Sequence, residues 1–333
     1  MKLVRLFSSL VLGWGLIACG QSNGPSVSTI APAAQPASAA APAAPTKHQI
    51  ALVMKTRSNP FFAEMETGAV RAEKEMGITL VVKVASNETS IEEQIQIVND
   101  LVAAKVQAIV IAPGDSQSLV PALKKAADAG IKVVNIDNRL DPDALQKAGM
   151  PAVPFISVDN DAGAYKAGQF LAKDVTKPTK AAILEGIRSA DNARQRMEGA
   201  KRALLENPNI KLVASETANW KTDEARKLTE TIFSKKGNAD IKLLFAANDM
   251  MAFGAIEYIK SNPKLTGVKV VGYDALPQAI AEIKAGTMAA TVDQQAAEQG
   301  YQGIALALRL LKNESVPAVT LIDTRVITAA EVK

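Results

Sequence analysis

From Gln49 onward, short uninterrupted apolar runs alternate with stretches whose apolar residues recur every three or four positions. Ile50–Met54 reads as a buried strand. Asn59-Pro60 then supplies a helix start, because Pro at the first helical position gives up an N–H that has no intrahelical partner anyway. The helical pattern runs to Met76, and Gly77 can take the left-handed conformation that stops it. Thr79–Val82 is a second strand. Residues 91–104 are helical in period, with Ile91, Ile95, Val98 and Val102 on one face. Strand 108–111, helix 119–129 and strand 132–136 follow. The pattern then restarts with strands at 181–184, 211–214, 242–246 and 268–272, separated by helices at 192–205, 222–233 and 250–260. Strands that are continuous Val/Ile/Leu runs separated by helices predict parallel sheets covered on both faces, an α/β fold.

The two stretches echo each other. Gly68-Ala69-Val70-Arg71-Ala72 returns as Gly199-Ala200-Lys201-Arg202-Ala203. Gly130–Asp137 (GIKVVNID) returns as Gly267–Asp274 (GVKVVGYD). Two echoes in the same order at nearly the same offset predict two lobes of like topology. Ligands of open parallel sheets bind beyond the carboxyl ends of the strands. Asp137 and Asp274 each follow a strand at matching positions, so facing lobes would bring both carboxylates into one cleft.

The segment before Gln49 is of another kind. Lys2 and Arg5 precede an apolar run from Leu6 to Ala18, too short to span a bilayer and suited to the core of a signal peptide. It ends in Leu16-Ile17-Ala18-Cys19, which resembles a bacterial lipobox. Residues 1–18 therefore read as a lipoprotein signal peptide and Cys19 as the lipidated residue, carrying palmitate-type acyl chains. Residues 20–47 are rich in Ala, Pro, Ser and Gly and nearly free of charge, the composition of a tether. The expected location is the cell envelope, outside the cytoplasm, at a membrane.

Composition removes several classes of function. With one Cys and one His there is no internal disulfide and no Cys/His zinc cluster. His48 adjoins the tether and reads as a solvated residue rather than a catalytic one. The net charge of +4 offers no nucleic-acid surface. Gly114-Asp115-Ser116 lacks the Lys and the spacing of a phosphate loop. No metal, cofactor or enzymatic activity is expected.

Several side chains fall where a ligand would lie. Asn59, Phe61 and Phe62 occupy a strand-to-helix junction. Trp220 occupies a similar junction in the second half, and in a chain only 4% aromatic it reads as a platform rather than core filler. Arg194 and Arg196 open a helix, where a cation opposes the macrodipole unless something else holds it. Asn248 follows a strand and reads as a helix cap or a ligand contact, and Gln294 lies near a strand end. Carboxylates, amides and guanidinium groups bond hydroxyls while flat rings cover a C–H face, so this set suits a polyol. Asp137 and Asp274 could alternatively form a glycosidase pair.

These stretches closely resemble the ribose/galactose-type periplasmic sugar-binding proteins. The likeness extends over about residues 49–327 and rests on Asn59–Phe62, Ile136-Asp137, Asn192–Arg196, Ala246–Ala252, Gly272–Pro277 and Ala289–Gln294. It implies two Rossmann-like lobes crossed three times by the chain. The first lobe would be 48–157 plus 295–323, the second 158–294 plus 324–333. It puts ligand contacts on Asn59, Phe61, Phe62, Asp137, Arg194, Trp220, Asn248, Asp274 and Gln294, and Asn138 beside Asp137 is a further candidate. It implies a monomeric solute-binding protein that delivers a monosaccharide to the permease of an ABC-type importer. A non-sugar polyol, a nucleoside or a signalling furanone would suit the same cleft. In the ribose-binding branch Arg follows the first Asp, whereas Asn138 follows here. The stretches at Trp220 and Asp274–Pro277 look more like the galactose/glucose branch, without its calcium loop.

Overall fold

The structure is a computed structural model that describes residues 47–332 and, apart from them, Gly24. Cys19 and the signal-like segment lie outside the described residues.

The first lobe alternates β1 (Gln49–Met54), α1 (Pro60–Met76), β2 (Thr79–Val84), α2 (Ile91–Ala103), β3 (Ala108–Ile111), α3 (Val120–Asp128), β4 (Lys132–Ile136), α4 (Pro142–Lys147) and β5 (Phe155–Val158). The second continues with α5 (Asn160–Ala172), β6 (Thr179–Glu185), α6 (Asp191–Leu205), β7 (Ile210–Thr217), α7 (Thr222–Ser234), β8 (Ile241–Ala246), α8 (Asp249–Ser261), β9 (Lys269–Val271), α9 (Pro277–Lys284) and β10 (Ala290–Asp293). The chain then returns to the first lobe for α10 (Ala296–Leu311) and β11 (Val319–Ile322), and ends in the second with β12 (Arg325–Thr328).

Two six-stranded sheets result, ordered β11-β5-β4-β3-β1-β2 and β12-β10-β9-β8-β6-β7. Neighbouring strands are parallel except β10 and β12, which run antiparallel. The chain crosses between the lobes three times, at Asp159, at Gln294-Gln295 and at Asp323-Thr324. Central strands such as β1 and β3 are buried on both faces, which is why their sequences carry no alternation.

The echoed motifs do the same work in each lobe. Gly68 on α1 faces the backbone of Ala297 on α10 so closely that a Cβ would overlap the Ala297 carbonyl, and Gly199 on α6 stands in the same relation to Asp161 on α5. Three residues on, Arg71 bonds Glu298 at 3.0 Å with its guanidinium 4.2 Å from the Tyr301 ring, and Tyr301 bonds Glu75 at 2.7 Å. In the second lobe Arg202 bonds Asp161 at 3.0 Å over the Tyr165 ring, and Tyr165 bonds Glu206 at 2.8 Å. The same clasp therefore holds the helix that follows each of the first two crossings.

Of the two helices held this way, α5 is one that apolar period does not single out. The buried face of α5 is Gly163, Ala164, Ala167 and Gly168 before it reaches Leu171. Two backbones that approach this closely need small residues, not large apolar ones, so the sequence signal is weak.

Candidate functional site

The carboxyl ends of both sheets face one cleft. From the first lobe, Lys55 follows β1, and its Nζ lies 2.7 Å from Asp137 Oδ2, with both side chains almost wholly buried. Asn59 caps α1 by accepting from Phe61 N–H at 3.1 Å, while its Nδ2 donates to Glu88 at 2.9 Å. Phe61 and Phe62 meet edge to face with centroids 5.1 Å apart.

From the second lobe, α6 brings Asn192 and Arg196 inward. Arg196 donates to Asn160 Oδ1 at 2.8 Å, to the Ala247 carbonyl at 2.9 Å and to Gln294 Oε1 at 3.1 Å, and stands 3.6 Å from Asp274 Oδ1. Its guanidinium stacks 3.8 Å from the Tyr273 ring and faces Trp220 at 5.6 Å. The Trp220 ring lies against Gly186 so closely that no side chain fits at that position. Asn248 caps α8 through Met251 N–H at 2.9 Å and donates to the Trp220 carbonyl at 3.3 Å. Gln294, at the second crossing, donates to Asp274 at 2.6 Å.

Backbone strain gathers here. Of eight non-glycine residues with positive φ among the described residues, six are Asp137, Asn219, Trp220, Asp274, Ala275 and Gln295, all in or beside this site. A bulky residue such as Trp in the left-handed region costs free energy, and such outliers persist only where the surroundings hold them. The echoed carboxylates share even this detail: each has positive φ, and each donates its N–H to the next strand in the same way, Asp137 to Ile156 O at 3.1 Å and Asp274 to Val292 O at 2.8 Å.

The site holds two cations, Lys55 and Arg196, among the carboxylates Asp137, Asp274 and Glu88. Burial pushes Asp274 well above the usual carboxylate range, against the pull of Arg196. Burial likewise raises Glu88, opposed by Lys55 and the Asn59 hydrogen bond. Behind the site, Asp249 is fully buried and raised to about 7 by burial, although it accepts from Thr291 at 2.7 Å and from Leu276 N–H at 2.9 Å. These fixed acceptors and donors match neutral hydroxyl groups, which supply both.

Asn192 Nδ2 on α6 donates to Asp137 Oδ1 of the first lobe at 3.2 Å, so the two lobes meet across the cavity.

Asn59, Phe61, Phe62, Asp137, Trp220, Asn248, Asp274 and Gln294 line this cavity. Two expected residues do not. Arg194 points away from the cavity, half exposed, bonded to Asp191 and to the Arg188 carbonyl. The inward arginine is Arg196, because it shares a helix face with Asn192, four residues earlier. Asn138 lies behind Asp137, fully buried, with its amide donating to Pro113 O at 3.1 Å and accepting from Asn192 N–H at 3.3 Å. Lys55 and Asn192 line the cavity without having been singled out as contacts, and Arg196, noted beside Arg194 at the helix start but not among the contacts the resemblance implies, lines it as well. Lys55 could have been found from its place directly after the first buried strand, where a charge has no reason to be unless the strand end faces a cleft.

A family model described as periplasmic binding protein domain matches residues 50–315. The D-ribose/D-allose-binding protein of Pseudomonas aeruginosa is 41% identical over 282 residues, 84% of this chain and 87% of that protein. The D-allose-binding periplasmic protein of Escherichia coli is 31% identical over 287 residues, 84% of this chain and 92% of the relative. Among solved structures, an ABC transporter periplasmic solute-binding protein from Actinobacillus succinogenes with bound D-allose has a TM-score of 0.81 at 40% identity, covering 86% of this chain and 99% of the other.

Proposed function

The chain belongs to the periplasmic binding protein family, and we propose that it captures a monosaccharide outside the cytoplasm by closing its two lobes and delivers it to the permease of an ABC-type importer. The observation that carries this reading is the cavity itself: Asp137 and Asp274, one from each lobe, each fixed beside its own cation and both flanked by aromatic rings and amides. A hydrogen bond to a charged group contributes about 1.5–3 kcal/mol, so two carboxylates meeting vicinal hydroxyls give both affinity and orientation. Relatives named for D-ribose and D-allose support an aldose as the ligand. The bound sugar leaves chemically unchanged.

A melting-temperature screen of pentoses, hexoses and polyols tests the ligand class, since a ligand held only by the folded state raises the transition. D-Allose or D-ribose should give a large rise. No shift from any aldose at millimolar concentration would refute the sugar reading. We propose further that acyl chains on Cys19 anchor the protein to the membrane, the reading supported by the lipobox-like Leu16–Cys19. Cys19→Ser should move the protein to the soluble fraction, and a variant still membrane-bound after a high-salt wash would refute the anchor.

A further inference from the structure

The helix that carries Asn192 and Arg196 into the cavity starts without a cap of its own. Ala190 stands where Ser, Thr, Asp or Asn would accept from the first turn, and it makes no side-chain cap bond. The missing acceptors come from the other lobe. Asp191 N–H donates to Ser116 Oγ at 3.0 Å, and Asn192 N–H donates to Asn138 Oδ1 at 3.3 Å. Ser116 N–H donates across the same seam to the Ser189 carbonyl at 3.2 Å. The Asn138 amide is held by its bond to Pro113 O, which keeps Oδ1 turned toward α6. Ser116 and Asn138 lie in the loops after β3 and β4, both are buried, and neither lines the cavity.

We infer that Ser116 and Asn138 are positioning residues for ligand binding, through which the first lobe caps α6 of the second only when the cleft is shut. Closure then completes a helix terminus and a binding site together. The inference rests on the proposed closure of the lobes around a sugar. When the lobes part, the first two amides of α6 lose these acceptors while Asn192 and Arg196 leave the facing wall. Replacing a good N-cap by Ala shifts a helix equilibrium roughly two- to thirtyfold. The apparent affinity of a protein that binds through a minority state scales with the population of that state. Losing the cap should therefore weaken sugar binding by a similar factor although no contact to the sugar is touched.

Hydrogen exchange and calorimetry on the full-length protein with D-allose test this. In the wild type, saturating D-allose should slow exchange of the Asp191 and Asn192 amides. Ser116→Ala should lose that protection at Asp191 and bind roughly two- to thirtyfold more weakly. Adding Ala190→Ser in the Ser116→Ala background gives α6 a local cap, which should restore the melting temperature but not the affinity. Wild-type affinity in Ser116→Ala overturns the inference. So does full recovery of affinity with the local cap, which would make the role one of helix stability alone. If no sugar binds the wild type, the fault lies with the proposed ligand. The cap is then read without ligand: Ser116→Ala should speed exchange at Asp191, and unchanged exchange there overturns it.

Discussion

Arg196 serves three acceptors, one carboxylate and two aromatic faces at once, and nothing else in the cavity wall can replace it. A planar fork with five donors fits this arrangement, whereas an ammonium reaches only part of it. Arg196→Lys should weaken sugar binding at least tenfold, while Arg194→Ala, outside the cavity, should change it less than threefold; titration calorimetry compares the two. Equal losses would return Arg194 to the site. The sequence makes the helix start legible but not which arginine turns inward, because the two residues that α6 presents to the cavity, Asn192 and Arg196, are both polar. Asp249 carries a separate prediction. Its carboxyl sits at about 7 in the folded state against an ordinary 3.8. Such a group stabilises the fold fully below its unfolded value, and that contribution is lost as pH rises through the folded value. Stability should therefore fall from about pH 4 to pH 7 and level off above. Asp249→Asn, which is never charged, should flatten this slope in denaturant titrations. An identical slope in the variant would show that other groups set it.

At the scale of elements, the two lobes are built on close helix crossings at glycines. Ala exceeds Gly by about 1 kcal/mol in an ordinary helix. At Gly68 a methyl group would overlap the Ala297 carbonyl, and forced overpacking costs about 1–3 kcal/mol. Gly68→Ala should therefore lower the urea midpoint despite its better helix propensity. A midpoint at or above wild type would mean that α1 and α10 can move apart freely. The echoed Gly68 and Gly199 were legible as a repeat, and the structure supplies the reason: each seats a helix that enters its lobe at a crossing. The helix α5 seated there was not legible, because it presents small residues where apolar period looks for large ones. Strands β11 and β12 were missed for a related reason. Each has four residues at a sheet edge, and only Ile322 among them is buried.

For the whole molecule, two sheets that face each other across three crossings can hinge, and a ligand with contacts in both lobes favours the closed form. That plan was readable from the alternation of elements and from the matching aspartates. The seam between the lobes was not, since a Ser and an Asn that cap a helix of the other lobe look like loop residues in one dimension. Asn138, taken for a ligand contact because it adjoins Asp137, belongs to that seam. We propose that one sugar is held jointly by Asp137 of the first lobe and Asp274 of the second. Calorimetric titration of D-allose into the wild type, Asp137→Ala and Asp274→Ala tests it most directly. The wild type should bind the sugar saturably and one to one, and each variant at least tenfold more weakly, about 1.4 kcal/mol or more, with the sugar recovered unchanged. Wild-type affinity in both variants would contradict it.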